Sequence, residues 1–361
     1  MDIEQLGEAG LIQRIKKKIP ANDPSIVLGI GDDAAIINSS GRNLLLSTDT
    51  IREDIHFSMK HYSFYDIGWK AVAVSISDIA AMGGVPKYLL LSIAIPDKVS
   101  VKDIDMLIDG VADISAEYSL SVVGGNLSRS TQGITVDTTI VGEVSGGKAL
   151  LRSGAGIGDK IYVTGIPGMS AIGLSILKSG TTKSGTAGKS GTEFNSVPKP
   201  GKPGKKHGIK AFINSHLRPV PRVSAGLVLS KSKSTTAAID ISDGLLADLN
   251  HICDRSKVGA RINCNLLRLP DVPVHIREML EREPLFYALY GGEDYELLFT
   301  VRSDDSAEFE LMCRRQDVLC TMIGQITPAE EGIRLVNEDS KITPVEPYGY
   351  DHFKSGRGRL C

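Results

Sequence analysis

The chain has 361 residues, of which 42% are hydrophobic and 23% charged, and its formal net charge is −2. This composition predicts a soluble globular protein with two domains or one large one, and the near-neutral charge gives no indication of nucleic-acid or membrane partners. No apolar run reaches the length of about 18 residues that a membrane span needs, and the N-terminus is acidic where a signal peptide would be basic. Five cysteines without C-x-x-C spacing indicate reduced thiols, so we expect a cytoplasmic protein without a zinc site or a disulfide framework.

Strands and helices are predicted to alternate in the first part of the chain. Apolar periodicity predicts helices over 4–18, 66–82 and around 104–111, and strands at 26–28, 34–37, 43–47, 87–95, 120–123 and 134–144. This alternation favours an α/β or α+β arrangement in which acidic residues follow the ends of strands.

A second unit is predicted to begin near residue 148, so that the two domains span 1–147 and 148–361. Its predicted elements are strands at 160–164, 237–241 and 297–301 and helices over 170–177 and 245–252. Residues 179–210 are rich in Gly, Ser, Thr, Pro and Lys, which predicts a flexible surface insertion. A basic patch that recruits anionic substrates is the weaker interpretation of the same residues.

Acidic residues beside glycine or serine recur along the chain. An isolated pair such as Asp32-Asp33 usually marks a polar turn, and only its recurrence further along the chain favours a shared site. Asp78 lies within an otherwise small and apolar helix, where an unpaired charge would be costly, so it needs a partner such as a metal ion. The five carboxylates that would form the shared site are Asp33, Asp49, Asp78, Asp240 and Asp243.

Convergence of these carboxylates would require compensation, because two unit charges 4 Å apart repel by about 4 kcal/mol at an effective dielectric constant of about 20. Either raised pKa values or bound divalent cations would supply it. An all-oxygen donor set, including the Ser47 and Thr48 hydroxyls and the Asn126 amide, favours Mg²⁺ over zinc. Since Mg²⁺ held by few protein ligands is usually completed by water and phosphates, the pattern predicts phosphoryl transfer from a nucleotide.

Several short motifs resemble those of the thiamine-monophosphate kinase family, and they occur in the family's order along nearly the whole chain, except in the insertion at 179–210. The motifs are Gly29-Ile30-Gly31-Asp32-Asp33-Ala34, Ser47-Thr48-Asp49-Thr50, His56-Phe57, Lys70-Ala71-Val72-Ala73-Val74, Ser77-Asp78-Ile79-Ala80-Ala81-Met82-Gly83, Leu150-Leu151-Arg152-Ser153-Gly154-Ala155, Asp240-Ile241-Ser242-Asp243-Gly244-Leu245, Gly291-Gly292-Glu293-Asp294-Tyr295-Glu296-Leu297 and Gly349-Tyr350-Asp351-His352-Phe353. The resemblance implies the two-domain fold of the aminoimidazole ribonucleotide synthetase superfamily, in which N-terminal domains pair their sheets across a homodimer. It also implies transfer of the γ-phosphoryl group of ATP to thiamine monophosphate, with several Mg²⁺ ions and with the nucleotide between the domains.

Carried over by motif, the resemblance implies three groups of site residues. The magnesium ligands would be Asp33, Ser47, Thr48, Asp49, Asp78, Asn126, Asp240 and Asp243. ATP would contact Gly125, Asn126, Arg152 and Ser242, and thiamine monophosphate would contact His56, Glu293 and Tyr350. The ring of Tyr350 suits stacking on a flat cationic heterocycle. The accepting phosphate oxygen is already ionised at neutral pH, so no general base is assigned and the expected mechanism is direct in-line transfer.

Asn126 departs from the family pattern, which commonly has Asp at this position, so we expect one metal site to bind more weakly. Two alternatives stay open, namely another ATP-dependent synthetase of the superfamily and a non-catalytic nucleotide-binding maturation or regulatory subunit. The absence of cysteine before Cys253 argues against a selenophosphate synthetase. The presence of His56, Glu293 and Tyr350 argues against a subunit without kinase chemistry.

Overall fold

The computed structural model describes residues 3–19, 23–144, 148–180 and 208–350, and it contains two β-sheets in that part of the chain. The elements before residue 145 are α1 (Ile3–Lys18), β1 (Ile26–Leu28), β2 (Ala35–Ser39), β3 (Arg42–Arg52), α2 (Phe64–Ala81), β4 (Val85–Ile95), α3 (Val101–Glu117), β5 (Ser121–Arg129) and β6 (Thr135–Glu143). They form a six-stranded sheet with the order β1-β2-β3-β6-β4-β5, antiparallel except for the parallel β4–β5 pair.

The second sheet has seven strands in the order β13-β12-β9-β11-β7-β10-β8. The elements after residue 148 are β7 (Lys160–Thr164), α4 (Met169–Lys178), α5 (Ile209–Leu217), α6 (Val223–Lys231), β8 (Thr235–Asp240), α7 (Leu245–Ser256), β9 (Gly259–Asn263), α8 (Val274–Arg277), α9 (Pro284–Tyr290), β10 (Leu297–Val301), α10 (Ser306–Arg315), β11 (Cys320–Thr327), β12 (Ile333–Val336) and β13 (Ile342–Pro344). Side chains of α7 cover one face of this sheet and side chains of α6 and α10 cover the other. Every residue of β10 is therefore buried, as expected for a strand whose two faces are both covered by helices.

Helix α2 lies between the two sheets, and most of its residues are buried. It begins with a capping box in which the Ser63 hydroxyl accepts the backbone N–H of Asp66 and the Asp66 carboxylate accepts that of Ser63. Val72 belongs to the core of the first sheet, whereas Ala81 packs into the core of the second. Close contact with α6 requires glycine at position 226, since a Cβ there would overlap the carbonyl of Ala80. One helix thus connects both halves of the protein.

The predicted elements are confirmed with changes in length, and so is the mixed α/β class. Strands β3 and β5 extend beyond the predicted 43–47 and 120–123, because pairing with β6 and β4 continues to their far ends. The motif residues Thr48, Asp49 and Asn126 therefore lie inside strands, and the prediction that they follow strand ends was wrong. The predicted domain boundary at 147/148 stays a prediction. Most of the predicted insertion, residues 181–207, lies outside the described part.

The outer face of the first sheet and its edge strand β5 are exposed. All nine residues of β5 are exposed, and residues of β6 alternate between buried and partly exposed. Four cysteines in the described ranges are free thiols, Cys253, Cys264, Cys313 and Cys320. Among the described helices, none combines the length and apolar character that crossing a membrane would require.

Candidate active site

Three carboxylates from three different elements meet between the two sheets. Asp33 lies in the loop between β1 and β2, Asp78 near the end of α2, and Asp240 at the end of β8. One oxygen from each lies within 4.8 Å of an oxygen from the other two. The convergence predicted for these three side chains is therefore confirmed, and we call them the three-aspartate cluster.

Charge accumulates in this cluster. Burial and the neighbouring Asp33 raise the pKa of Asp240 to about 7. Burial, reinforced by the carboxylates of Asp49, Asp240 and Asp33, raises the pKa of Asp78 well above its usual range. Burial also raises the pKa of Asp49. The Oδ2 atom of Asp33 is buried and has no hydrogen-bond partner among the described residues. The cluster therefore holds acceptor oxygens that a cation would satisfy.

Three serines support these carboxylates. The Ser77 hydroxyl donates to Oδ2 of Asp240 at 2.6 Å, the Ser75 hydroxyl donates to Oδ2 of Asp49 at 2.6 Å, and the Ser47 hydroxyl donates to Asp78. Sequence reasoning quoted Ser77 within a motif but assigned no role to Ser75 or Ser77. The signal for them was the presence of two serines just before Asp78 in a helix that is otherwise small and apolar.

Asp32 and Asp33 both contact Arg152, one through its backbone and the other through its side chain. Both carboxylate oxygens of Asp32 accept the backbone N–H of Arg152 at 3.2 Å, whereas the side chain of Asp33 accepts the guanidinium of Arg152 at 2.6 Å. Burial and the adjacent Asp33 raise the pKa of Asp32 to about 6. The sequence assigned no role to Asp32, and the structure shows that it ties the β1–β2 loop to the second half of the chain.

A second group of possible metal ligands, two aspartates and a histidine, lies at the start of α7. Asp243, Asp248 and His251 each offer a ligand atom within 4.8 Å of the others. Asp248 accepts the backbone N–H groups of Ser242, Asp243 and Gly244 at 3.1 Å, so it shapes the loop that carries Asp243. Burial, followed by repulsion from Arg152, lowers the pKa of His251 to about 4. Sequence reasoning missed Asp248 and His251, whose spacing of three residues places them on one helix face.

Two of the three residues predicted to contact the acceptor, Glu293 and Tyr350, lie beside this loop. The backbone N–H of Glu293 donates to the carbonyl of Ser242 at 2.8 Å, and that of Tyr350 donates to the carbonyl of Asp243 at 3.3 Å. Glu293 has a positive φ of 63°, a conformation that is costly for a residue with a side chain and is common at functional sites. The Nδ1 atom of His56 accepts the backbone N–H of Arg52 at 3.0 Å, which leaves the ring proton on Nε2.

Thr48 and Asn126 lie apart from the three-aspartate cluster. Successive side chains of a strand point to opposite faces of its sheet, so Thr48 points away from α2 while Ser47 and Asp49 point toward it. The Thr48 hydroxyl donates to the carbonyl of Thr138 at 3.0 Å. Asn126 pairs with Ser92 on that same outer face, and β6 and β4 separate it from β3. The metal-binding roles of Thr48 and Asn126 stay predictions, as does the ATP contact of Gly125.

The chain matches two family models. The model described as "AIR synthase related protein, N-terminal domain" matches residues 31–144, and "AIR synthase related protein, C-terminal domain" matches residues 156–337. The thiamine-monophosphate kinase of Buchnera aphidicola (subsp. Acyrthosiphon pisum, strain APS) is 37% identical over 348 residues, which cover 96% of this chain and 98% of that protein. The chain belongs to the thiamine-monophosphate kinase family. The resemblance read from the ordered motifs is confirmed.

Two further comparisons agree with this assignment. The thiamine-monophosphate kinase of Bacillus subtilis (strain 168) is 35% identical over 333 residues, which cover 91% of this chain and 94% of that protein. A solved structure described as AaThiL complexed with AMPPCP and TMP superposes with a TM-score of 0.77. It is 34% identical, and the match covers 98% of this chain and 99% of that chain. The predicted two-domain fold is thereby confirmed, whereas the pairing of domains across a dimer stays a prediction.

Proposed function

We propose that this chain transfers the γ-phosphoryl group of ATP to thiamine monophosphate, producing thiamine diphosphate and ADP. The observation that carries the proposal is the contact between the loops of the two predicted sites. The backbone N–H of Glu293 donates a hydrogen bond to the carbonyl of Ser242. In the sequence, Ser242 lies between Asp240 of the three-aspartate cluster and Asp243 of the second group. An acceptor held at Glu293 would therefore lie beside the carboxylates expected to bind the nucleotide phosphates through cations. Full-length similarity to relatives named thiamine-monophosphate kinase supports the same reaction.

The three-aspartate cluster fits Mg²⁺. Its donors are carboxylate oxygens, one of them the buried Oδ2 atom of Asp33 that lacks a hydrogen-bond partner in the described part of the chain. Hard oxygen donors of this kind select Mg²⁺ over softer metals. When bound there, Mg²⁺ would neutralise charge on the ATP phosphates. As carried over from the family motifs, the ligands of several Mg²⁺ ions would be Asp33, Ser47, Thr48, Asp49, Asp78, Asn126, Asp240 and Asp243. Of these, Asp33, Asp78 and Asp240 form the cluster, and Asp243 belongs to the second group. Thr48 and Asn126 lie on the opposite face of the first sheet, so their assignment rests on the motifs alone.

The chain's own residues would act by alignment and by charge. The Arg152 guanidinium, which is hydrogen-bonded to Asp33, would pair with an ATP phosphate, and the other assigned ATP contacts are Ser242, Gly125 and Asn126. His56, with its proton on Nε2, can donate to an anionic group of the acceptor. The accepting phosphate oxygen needs no base, so holding both phosphates in line supplies the main rate enhancement. We place this ATP-dependent reaction in the cytoplasm.

We also propose that the protein is a homodimer joined through β5, the edge strand of its first sheet. The edge strand β5 exposes Val122, Val123 and Leu127, and the neighbouring strand β4 exposes Tyr88 and Leu90. Exposed apolar side chains on and beside an unpaired strand edge commonly mark an interaction site. Gly125 and Asn126 belong to the same strand, so the proposed interface would bring these two residues next to a partner subunit.

The reaction is tested by measuring ADP release with ATP and Mg²⁺ in the presence of thiamine monophosphate or thiamine. We expect turnover with thiamine monophosphate and little with thiamine. Asp240→Asn should reduce kcat by at least about 100-fold, because the site loses a charge needed for cation binding. Asp109→Asn, an exposed carboxylate on α3, serves as the matched control and should keep full activity. If the protein releases ADP with neither thiamine monophosphate nor thiamine, the maturation or regulatory subunit would be favoured instead.

A further inference from the structure

A single lysine joins two residues that were predicted to contact the acceptor. The side chain of Lys70, on α2, is completely buried. Its Nζ atom lies 2.7 Å from Oε1 of Glu293 and donates to the backbone carbonyl of His56 and to the hydroxyl of Tyr62, each at 3.0 Å. An ammonium group has three protons, and these three acceptors use all of them. Lys70 therefore fixes the loop after β3 and the loop before β10 relative to each other.

A second set of contacts holds Glu293 from the other side. Its Oε2 atom lies 3.4 Å from Nδ1 of His216, and that nitrogen also lies 3.1 Å from the Ser170 hydroxyl. The neighbouring Asp294 accepts the backbone N–H groups of Gly168 and Ser170 at 2.6 and 3.0 Å. The loop is thus anchored to the start of α4, and its strained backbone is held by contacts on both sides.

The charges around Glu293 keep it ionised although it is buried. Burial alone would raise the pKa of Glu293, but the adjacent Lys70 ammonium outweighs burial, and the net effect is a lowered pKa. Burial, followed by repulsion from Lys70, lowers the pKa of His216 to about 3, so His216 is neutral at pH 7. The ionic counterpart in direct contact with Glu293 is therefore Lys70. The charged or titratable groups near this carboxylate are Lys70 on α2, Lys178 on α4, His216 on α5, and the hydroxyls of Tyr62 and Tyr295.

We propose that Lys70 is a positioning residue that sets recognition of the acceptor by fixing Glu293 as a carboxylate at a constant distance from His56. The inference rests on the proposed function. Thiamine monophosphate carries a cationic thiazolium ring and an aminopyrimidine with N–H donors, and a carboxylate is complementary to both. A protonated or displaced Glu293 would lose this complementarity. ATP has an amino group on its adenine but no cationic ring, and the contacts of Lys70 Nζ, namely Glu293, His56 and Tyr62, are not among the residues assigned to ATP. Lys70 therefore acts on the acceptor and leaves the nucleotide unaffected.

The test compares Lys70→Met with the double variant Lys70→Met/Glu293→Gln. Methionine keeps an unbranched stem but removes the ammonium group, and the double variant also removes the carboxylate that would be left without its counter-ion. In Lys70→Met we expect KM for thiamine monophosphate to rise at least about tenfold, while KM for ATP changes less than about twofold. In the double variant we expect thermal stability to recover toward that of the wild type while KM for thiamine monophosphate stays raised.

A pH profile separates positioning from a purely structural role. Without the ammonium group, burial raises the pKa of Glu293, so KM for thiamine monophosphate in Lys70→Met should fall between pH 6 and pH 9 relative to the wild type. Unchanged KM for thiamine monophosphate in folded Lys70→Met, or an equal rise for both substrates, would overturn the inference. If Lys70→Met does not fold, a wild-type KM in the double variant would overturn it. A wild-type enzyme that releases no ADP with thiamine monophosphate would instead refute the proposed function itself.

Discussion

Arg152 donates to Oδ1 of Asp33 through two nitrogen atoms, Nε at 3.2 Å and Nη2 at 2.6 Å. Asp33 belongs to the β1–β2 loop of the first half, and Arg152 lies in the segment that leads into the second sheet. Because both donors converge on one oxygen, the other oxygen of Asp33 remains directed elsewhere, without a hydrogen-bond partner in the described residues. Arg152 thus compensates the charge of Asp33 without occupying its remaining acceptor.

Replacing Arg152 by methionine should destabilise the metal-free protein. The buried carboxylate of Asp33 would lose its counter-charge, at a cost of about 1–3 kcal/mol in the free energy of unfolding. Mg²⁺ should restore part of this loss, since it supplies positive charge at the same carboxylate. Urea denaturation with and without Mg²⁺ measures both effects. Arg302→Met, which breaks an exposed ion pair with Asp305, is the control and should change stability by less than about 1 kcal/mol. A stability loss that Mg²⁺ leaves unchanged would contradict this account.

His216 should make the protein less stable as the pH falls. Its pKa is about 3 in the folded state and 6.5 ordinarily, so between these values the unfolded chain binds more protons and stability decreases toward acid. At pH 5 the expected loss from this group is about 2 kcal/mol. Buried carboxylates with raised pKa values, such as Asp294 at about 7, act in the opposite direction. Only the difference between the wild type and a His216 variant therefore isolates the histidine.

The experiment measures urea denaturation at pH 7.5 and pH 5 for the wild type and for His216→Gln. Between the two pH values the wild type should lose about 2 kcal/mol more than the variant. His275→Gln, at an exposed position on α8, provides the control and should follow the wild type. Parallel pH profiles for the wild type and His216→Gln would show that the buried histidine does not resist protonation.

Tyr348 should hold the C-terminal segment that carries Tyr350. Its ring stacks on that of Tyr290 with centroids 4.6 Å apart and an interplanar angle of 16°. At the next residue, Gly349, a Cβ would lie only 2.6 Å from the carbonyl oxygen of Asp243, so the segment runs close against the Asp243 loop. Tyr348→Ala removes a stacking energy of about 0.5–1.5 kcal/mol, so we expect KM for thiamine monophosphate to rise about 2- to 10-fold.

Tyr348→Phe keeps the stacked ring and is the matched control for this change. It should retain the wild-type KM for thiamine monophosphate, and KM for ATP should be unchanged in both variants. Equal effects of Tyr348→Ala and Tyr348→Phe would mean that the hydroxyl group, and not the stacking, supports the segment.

Leu127 tests the proposed dimer. Its side chain is 71% exposed on the edge strand β5, where a charge would oppose burial in an interface. Leu127→Glu should shift the sedimentation coefficient from that of a dimer to that of a monomer at micromolar concentration. Leu311→Glu introduces the same change at an exposed leucine on α10 and should leave the assembly intact. A wild-type protein that sediments as a monomer would exclude the proposed interface.

Local sequence signals predicted the elements and much of the site, and the failures have physical causes. The convergence of Asp33, Asp78 and Asp240 could be predicted from the sequence, because each lies in a short acidic motif and their charges require a common partner. The lengths of β3 and β5 could not, since pairing with β6 and β4 overrides the local preference of glycine and polar residues for turns.

Other parts of the site depend on tertiary contacts that leave no local pattern. Lys70 begins one of the family motifs, but the motif assigns it no role, and only its burial against two loops reveals its contacts. Asp32 appeared to be a turn residue, whereas the backbone N–H that it accepts belongs to a residue 120 positions later. Thr48 and Asp49 point to opposite faces of the sheet because β3 continues through both residues. This extension depends on pairing with β6, which the motif itself does not encode.

Helix α2 carries Lys70 and Asp78 eight residues apart, which corresponds to about 12 Å along a helix axis. This rigid spacing sets how far the recognised end of an acceptor lies from the carboxylates that would hold the phosphates. A molecule that carries its cationic ring and its reactive phosphate at opposite ends can span such an interval. Inserting or deleting one residue between positions 70 and 78 would also rotate one group about 100° around the helix relative to the other. The length of the helix between these two residues therefore selects the length of the acceptor.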